Sequence, residues 1–160
     1  MQRVSTRNSQ TVICYTDAMT NAMDSAQPKT SSDQGEHYWL RGIRGAITVT
    51  QDTPEDILAA TEELLTAMLN ANGITDFEPI ASIFFTTTPD LSSTFPAEAA
   101  RRLGMQTVPL MCNQEIPVPN RLPKAIRVML QVNTTKPQAA IKHIYLREAV
   151  RLRPDLVSAQ

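Results

Sequence analysis

From residue 38 onward, apolar positions recur with two different periods, and the switches between them mark out the elements of the chain. Over residues 41–50 the period is two. Ile43, Ile47 and Val49 share one side with Arg41, while Arg44, Ala46, Thr48 and Thr50 share the other, the alternation of a strand. The second face is small and polar, so Arg44 is expected to project into a wet or ligand-filled space. Thr53 then reads as an N-cap and Pro54 as the first helical residue, with Glu55 and Asp56 suited to the positive helix end. Ile57, Thr61, Leu64, Leu65 and Met68 follow at helical spacing, and Gly73 supplies the stop.

The period-two pattern returns over residues 81–88, rich in Ile, Phe and Thr and broken by Pro89-Asp90. Residues 96–103 read as a short helix closed by Gly104. Residues 107–113 read as a strand that ends before Pro117 and Pro119. The cleanest strand is 125–133, where Ile126, Val128, Leu130 and Val132 alternate with Ala125, Arg127, Met129, Gln131 and Asn133. A turn over 133–137 leads into an ambiguous stretch, 138–151, in which Ile141, Tyr145, Glu148 and Leu152 also suit a helix. The long helix must bury its apolar stripe, and the sheet is the obvious partner.

Residues 1–36 differ. They are rich in Ser, Thr, Gln, Asn and Asp and lack sustained apolar periodicity, so they are expected to form a disordered extension ahead of a domain spanning 37–160. Arg3 and Arg7, with no acid among the first sixteen residues, faintly resemble an organelle transit peptide. A plain tail, or a start codon set too early with Met19 or Met23 as later candidates, is the favoured account. The extension has no apolar core of a secretory signal, and no run approaches the ~20 apolar residues that span a membrane.

Composition narrows the partners. Hydrophobic residues are 42% and charged residues 19%, with a formal net charge of -1. Bulk charge therefore argues against nucleic acid or an anionic membrane as partner, though a local group of arginines could hold a small anion. Cys14 and Cys112 have neither metal-ligand spacing nor a disulfide framework, which fits a reducing cytoplasm. The five glycines form no phosphate-cradling loop. Neither a metal nor a cofactor is expected.

The chemistry converges on arginine. Arg127 lies on the polar face of its strand as Arg44 does on its own. Two such guanidinium groups on one sheet repel unless an anion or an acidic side chain sits between them. Glu115, for its part, is held at a strand end before two prolines. A regular strand sends Cys112 and Glu115 to opposite faces, so lining one pocket together would need a bulge or turn between them. No histidine is placed to activate Cys112, and His143 reads as structural.

The ordered set of segments is more specific than any one of them. Arg41-Gly-Ile-Arg-Gly-Ala, Thr88-Pro-Asp-Leu, Phe95-Pro-Ala-Glu-Ala-Ala-Arg101, Val108-Pro-Leu-Met-Cys-Asn-Gln-Glu115, Ile126-Arg-Val, His143-Ile-Tyr-Leu and Leu152-Arg-Pro-Asp-Leu156 resemble, in order and spacing, the trimeric mixed α/β class of chorismate mutase. The resemblance runs from about Leu40 to Gln160. It implies an α+β fold: a mixed sheet of about five strands packed by one long and one short helix, assembling as a pseudo-barrel homotrimer. It favours a strand over residues 142–146.

The same resemblance implies the reaction, the rearrangement of chorismate to prephenate in the making of phenylalanine and tyrosine. It also implies roles. Arg127 would face the ether oxygen, Glu115 would accept from the ring hydroxyl, and Cys112 would lie against the electron-poor ring. Arg44 and Tyr145 would hold the side-chain carboxylate, with Arg101 assisting more peripherally. Phe95, Ala97, Leu110, Met111 and Leu152 would form walls. Glu98 stands where some relatives carry a lysine, so no cationic help is expected there. The site would lie between subunits. Two alternatives share part of this picture: a trimeric enamine/imine deaminase-like enzyme, by fold analogy, and a non-enzymatic trimer that binds a metabolite and regulates a partner.

Overall fold

The computed structural model describes residues 36–153. The expected extension, apart from its last residue, lies outside the described residues, as do Cys14, Met19, Met23 and the segment after Arg153. The chain runs β1 (Trp39–Thr48), α1 (Pro54–Asn72), β2 (Ile80–Thr87), α2 (Ala97–Arg102), β3 (Leu110–Gln114), β4 (Ala125–Thr134), a 3-10 turn (Gln138–Ala140), β5 (Ile144–Tyr145) and a second 3-10 turn (Arg147–Leu152). The five strands form one sheet in the order β3-β2-β4-β1-β5. β4 pairs antiparallel with both β1 and β2, whereas β2–β3 and β1–β5 are parallel. The mixed sheet with one long and one short helix is the expected α+β fold.

The long helix forms as its sequence dictates. Thr53 Oγ1 accepts the Asp56 N–H at 3.2 Å, Pro54 opens the helix, and Gly73 closes it in the left-handed region at φ 66°. Ile57, Leu64, Leu65 and Met68 of α1 and Ile43, Ile47, Ile83, Phe85, Ile126 and Leu130 of the sheet are all fully buried, forming a single core layer between helix and sheet. At Gly45 an added Cβ would lie 2.3 Å from Met68 Sδ, so any larger residue there would force the buried Met68 side chain of the helix to shift.

Three boundaries differ from the sequence pattern for physical reasons. β1 begins two residues early because it pairs with β4 as far as Trp39↔Thr134. β3 begins only at Leu110, after Pro109, which cannot donate but whose carbonyl accepts from Ile83 N–H at 2.9 Å. The ambiguous segment after residue 137 is neither a helix nor a full strand over 142–146. It is a two-residue strand between two 3-10 turns.

The face of β1 that carries Arg44 is wet only in part. Arg44 is exposed, but Ala46 is 1% and Thr48 9% exposed. The second 3-10 turn crosses there: Glu148 N–H donates to Thr48 Oγ1 at 3.3 Å and Arg147 Nη1 to the Thr48 carbonyl at 2.9 Å. Arg147 also pairs with Glu63 of α1 and takes a positive φ of 52°, strain that these contacts offset.

Candidate active site

Opposite the helices, the sheet presents a face that no helix of the described chain covers. In the β1–β4 register Arg44 faces Met129 and Ala46 faces Arg127. Paired residues share a face, so both arginines lie on this open side, as the alternation predicts. They line a cavity of about 960 Å³ together with Glu115, Tyr145 and Leu152. Four arginines (Arg44, Arg121, Arg127, Arg153) and two carboxylates (Asp90, Glu115) border it, an excess of two positive charges. Arg121, Asp90 and Arg153 carry no periodic signal, and the sequence pattern passes over them.

The centre of the cavity is a three-residue arrangement. Glu115 follows β3, held by its N–H on the Thr87 carbonyl at 2.9 Å. Its Oε1 accepts the Thr86 hydroxyl at 2.7 Å and lies 3.1 Å from Arg127 Nε. That second contact is an ion pair without a directed hydrogen bond: Arg127 Nε is buried and its N–H is aimed at no acceptor among the described residues. A buried unsatisfied donor is costly. Here it sits against Glu115 at the wall of a cavity bordered by more arginines than carboxylates.

Cys112 and Glu115 lie on opposite sides, as a regular strand requires. Cys112 pairs in register with the fully buried Phe85 and packs against the core. Burial pushes its thiol up, only partly opposed by the Ala97 N–H and the Arg101 charge. It borders a second cleft with Phe95 and Glu98, beyond the β3 edge. Ala97 is buried, Leu110 packs against the core, and Met111 stands exposed on the open face opposite Phe84. Arg101 is exposed on α2. One chain therefore unites Arg44, Glu115, Arg127, Tyr145 and Leu152, and holds Phe95 and Cys112 elsewhere.

This geometry accompanies a decisive sequence match. Residues 40–156 fit the family model of chorismate mutase type I. The chain belongs to the chorismate mutase type I family. It is 61% identical over 121 residues to the chorismate mutase AroH of Thermus thermophilus, covering 76% of this chain and 99% of that protein. It is 48% identical over 118 residues to the AroH enzyme of Bacillus subtilis, covering 73% and 92%. Among solved structures, a chorismate mutase from Clostridium thermocellum matches with a TM-score of 0.66 at 49% identity, over 68% of this chain and 96% of that one.

His143 lies outside the cavity lining but supports Arg44 from behind. Its Nδ1 accepts the Arg44 main-chain N–H at 3.1 Å, replacing a ladder partner where β5 has not yet begun. Burial, then the charges of Arg44 and Arg153, push its pKa below the usual histidine value. The unfolded chain therefore binds a proton near pH 6.5 that the folded chain refuses until lower pH. Stability from this group is complete above about pH 6.5 and declines as pH falls from there toward the folded pKa. Thermal midpoints measured from pH 7.5 to 5.5 are expected to fall more steeply for wild type than for His143→Gln, and parallel curves would contradict this assignment.

Proposed function

We propose that this protein rearranges chorismate to prephenate, and that it does so by fixed charge and shape rather than by covalent attack, at sites completed between subunits of a homotrimer. The observation that carries the chemistry is the buried, undirected N–H of Arg127 beside Glu115, in a cavity with two surplus positive charges. The rearrangement breaks an ether C–O bond while a C–C bond forms within one molecule. No group has to be deprotonated or attacked. What the transition state develops is negative charge on the ether oxygen and positive character on the ring.

Each residue answers one need. The Arg127 Nε–H supplies a donor for the ether oxygen whose bond to it strengthens as charge grows. Glu115, held from behind by Thr86, keeps an acceptor free for the ring hydroxyl and lies near the electron-poor ring. Arg44 grips the side-chain carboxylate with Tyr145 beside it. Holding a dianion folded in its reactive conformer supplies the entropic part of the acceleration.

The trimer is supported by what a lone chain lacks. The open sheet face and its borders expose Met111 (53%), Met129 (37%), Ile116 (84%), Val118 (46%) and Phe95 (67%), a large apolar display for a monomer. Phe95 and Cys112, with Ala97 and Arg101 nearby, would reach the arginines of a neighbouring copy. A soluble cytoplasmic setting fits the unpaired Cys112. Neither the deaminase-like alternative nor the regulatory trimer gains support from the family match or the relatives.

The direct test follows the loss of chorismate ultraviolet absorbance with wild type and Arg127→Ala side by side. Turnover by wild type alone is expected; an inert wild type ends the proposal. Cys112→Ser is expected to keep at least about a third of wild-type kcat, because a thiol whose ionisation is suppressed is a poor nucleophile. A folded but dead Cys112→Ser would point instead to thiol chemistry.

A further inference from the structure

Between Leu91 and Pro96, both buried, residues 92–95 contribute no side chain to the core. Yet this stretch presents Phe95, 67% exposed, at the rim of the second cleft. An exposed tetrapeptide ordinarily samples many conformations, and something must hold it. One residue forty positions away does. Asp52 Oδ1 accepts the N–H groups of Ser92 and Ser93, each at 3.0 Å. Its Oδ2 accepts the Ser92 hydroxyl at 3.2 Å, and its main-chain carbonyl accepts the Ser93 hydroxyl at 2.7 Å.

The residues on either side of the anchor are themselves held. Asp52 sits just ahead of α1, flanked by Gln51, whose N–H donates to Asp56 Oδ2 at 3.1 Å, and by the N-cap Thr53. Downstream of the clamp, the Thr94 hydroxyl donates to Glu98 Oε1 at 3.1 Å, so Phe95 is bracketed on its N-terminal side by Asp52 and by a bond that leads into α2. We propose that Asp52 is a positioning residue, setting the place of Phe95 and through it the aromatic wall that closes on substrate. This rests on the reading of Phe95 as a wall of the chorismate site. The Ser92 N–H, foremost among these bonds, holds the Asp52 carboxyl below its ordinary range, so the clamp is ionised throughout the neutral pH region.

The test is a double-mutant cycle on kcat and KM for chorismate, in the full chain. Asp52→Ala is expected to raise KM about 5- to 10-fold while kcat changes by less than about threefold, the pattern of a displaced binding wall. Phe95→Ala should do at least as much, and the double variant should match Phe95→Ala alone within about twofold, because Asp52 acts through that ring. Asp52→Asn should stay within about threefold of wild type, since its carbonyl oxygen can accept the same two N–H groups. Ser92→Ala/Ser93→Ala removes the two hydroxyl bonds while both N–H bonds to Oδ1 remain, so it is expected to raise KM in the same direction by a smaller factor, about twofold to threefold, and it keeps the test open if Asp52→Ala does not fold. Unchanged KM in the clamp variants, or losses that multiply with Phe95→Ala, would overturn the assignment while wild type still turns over chorismate. A wild type inactive on chorismate would overturn the reaction, and this inference with it.

Discussion

Arg127→Lys is expected to lower kcat for chorismate about 100-fold or more while leaving the fold and most of the substrate affinity in place. The loss of one preorganised donor to a developing oxyanion is worth about 3 kcal/mol, which is this factor. The substitution conserves charge, so a site that needed only a positive field would tolerate it. The geometry demands more. The donor that lacks a directed partner is Nε, at the base of the guanidinium and buried, and lysine has only methylene carbon at that level. Its ammonium would lie farther out, where the rest of the Arg127 side chain, 43% exposed, already meets solvent.

The stability side of that experiment is separable. Glu115 keeps its Thr86 bond and its backbone anchor in the variant, and a lysine can still pair with it. The thermal midpoint is therefore expected to move little. Retained kcat with an intact fold would remove Arg127 from the transition state, and a rise in KM alone would make it a binding group.

How far the sequence anticipates this site depends on whether one element or several must be read together. α1 and β4 are legible because each carries one unbroken period and, for α1, both caps. The shared face of Arg44 and Arg127 follows from two such alternations, each confined to its own strand. The pairing of Arg127 with Glu115 does not follow. β3 and β4 are not neighbours, and β2 lies between them with Thr86 as the bridge. Nothing in the period of any strand encodes that third residue. The C-terminal segment is illegible for another reason. A two-residue strand and two 3-10 turns are too short to impose a period, and their side chains serve different neighbours: Ile141 the core, Tyr145 the cavity. The clamp at Asp52 joins loops whose hydrogen bonds leave no compositional trace beyond ordinary serine and aspartate. The family resemblance supplies what periodicity lacks here, since it carries the ordered set of residues without their pairings.

Mixing two variants that are each nearly inactive at chorismate concentrations well below the wild-type KM is expected to restore activity under those conditions, and this outcome is the sharpest consequence of the proposed division of the site between chains. Arg127→Ala removes the proposed ether-directed donor; Phe95→Ala/Arg101→Ala removes the proposed wall and the cation on α2. Within one chain Arg127 lines the cavity on the open sheet face, Phe95 borders the second cleft, and Arg101 lies on α2 and lines neither; on the proposed reading, a single copy does not bring them to one substrate. If each site takes its arginine cavity from one subunit and its α2 side from the next, a mixed oligomer contains sites in which both contributors are intact. Random co-assembly of equal amounts gives one such site in about four, whatever the number of subunits in the ring. Unfolding and refolding the two variants together should therefore yield about a quarter of wild-type turnover, far above either variant treated alone. Restoration should vanish when the variants are refolded separately and mixed briefly, because subunit exchange is then absent. A co-refolded mixture no more active than the mean of its components would mean that each chain builds its own site, and the proposed sharing between subunits would have to be abandoned.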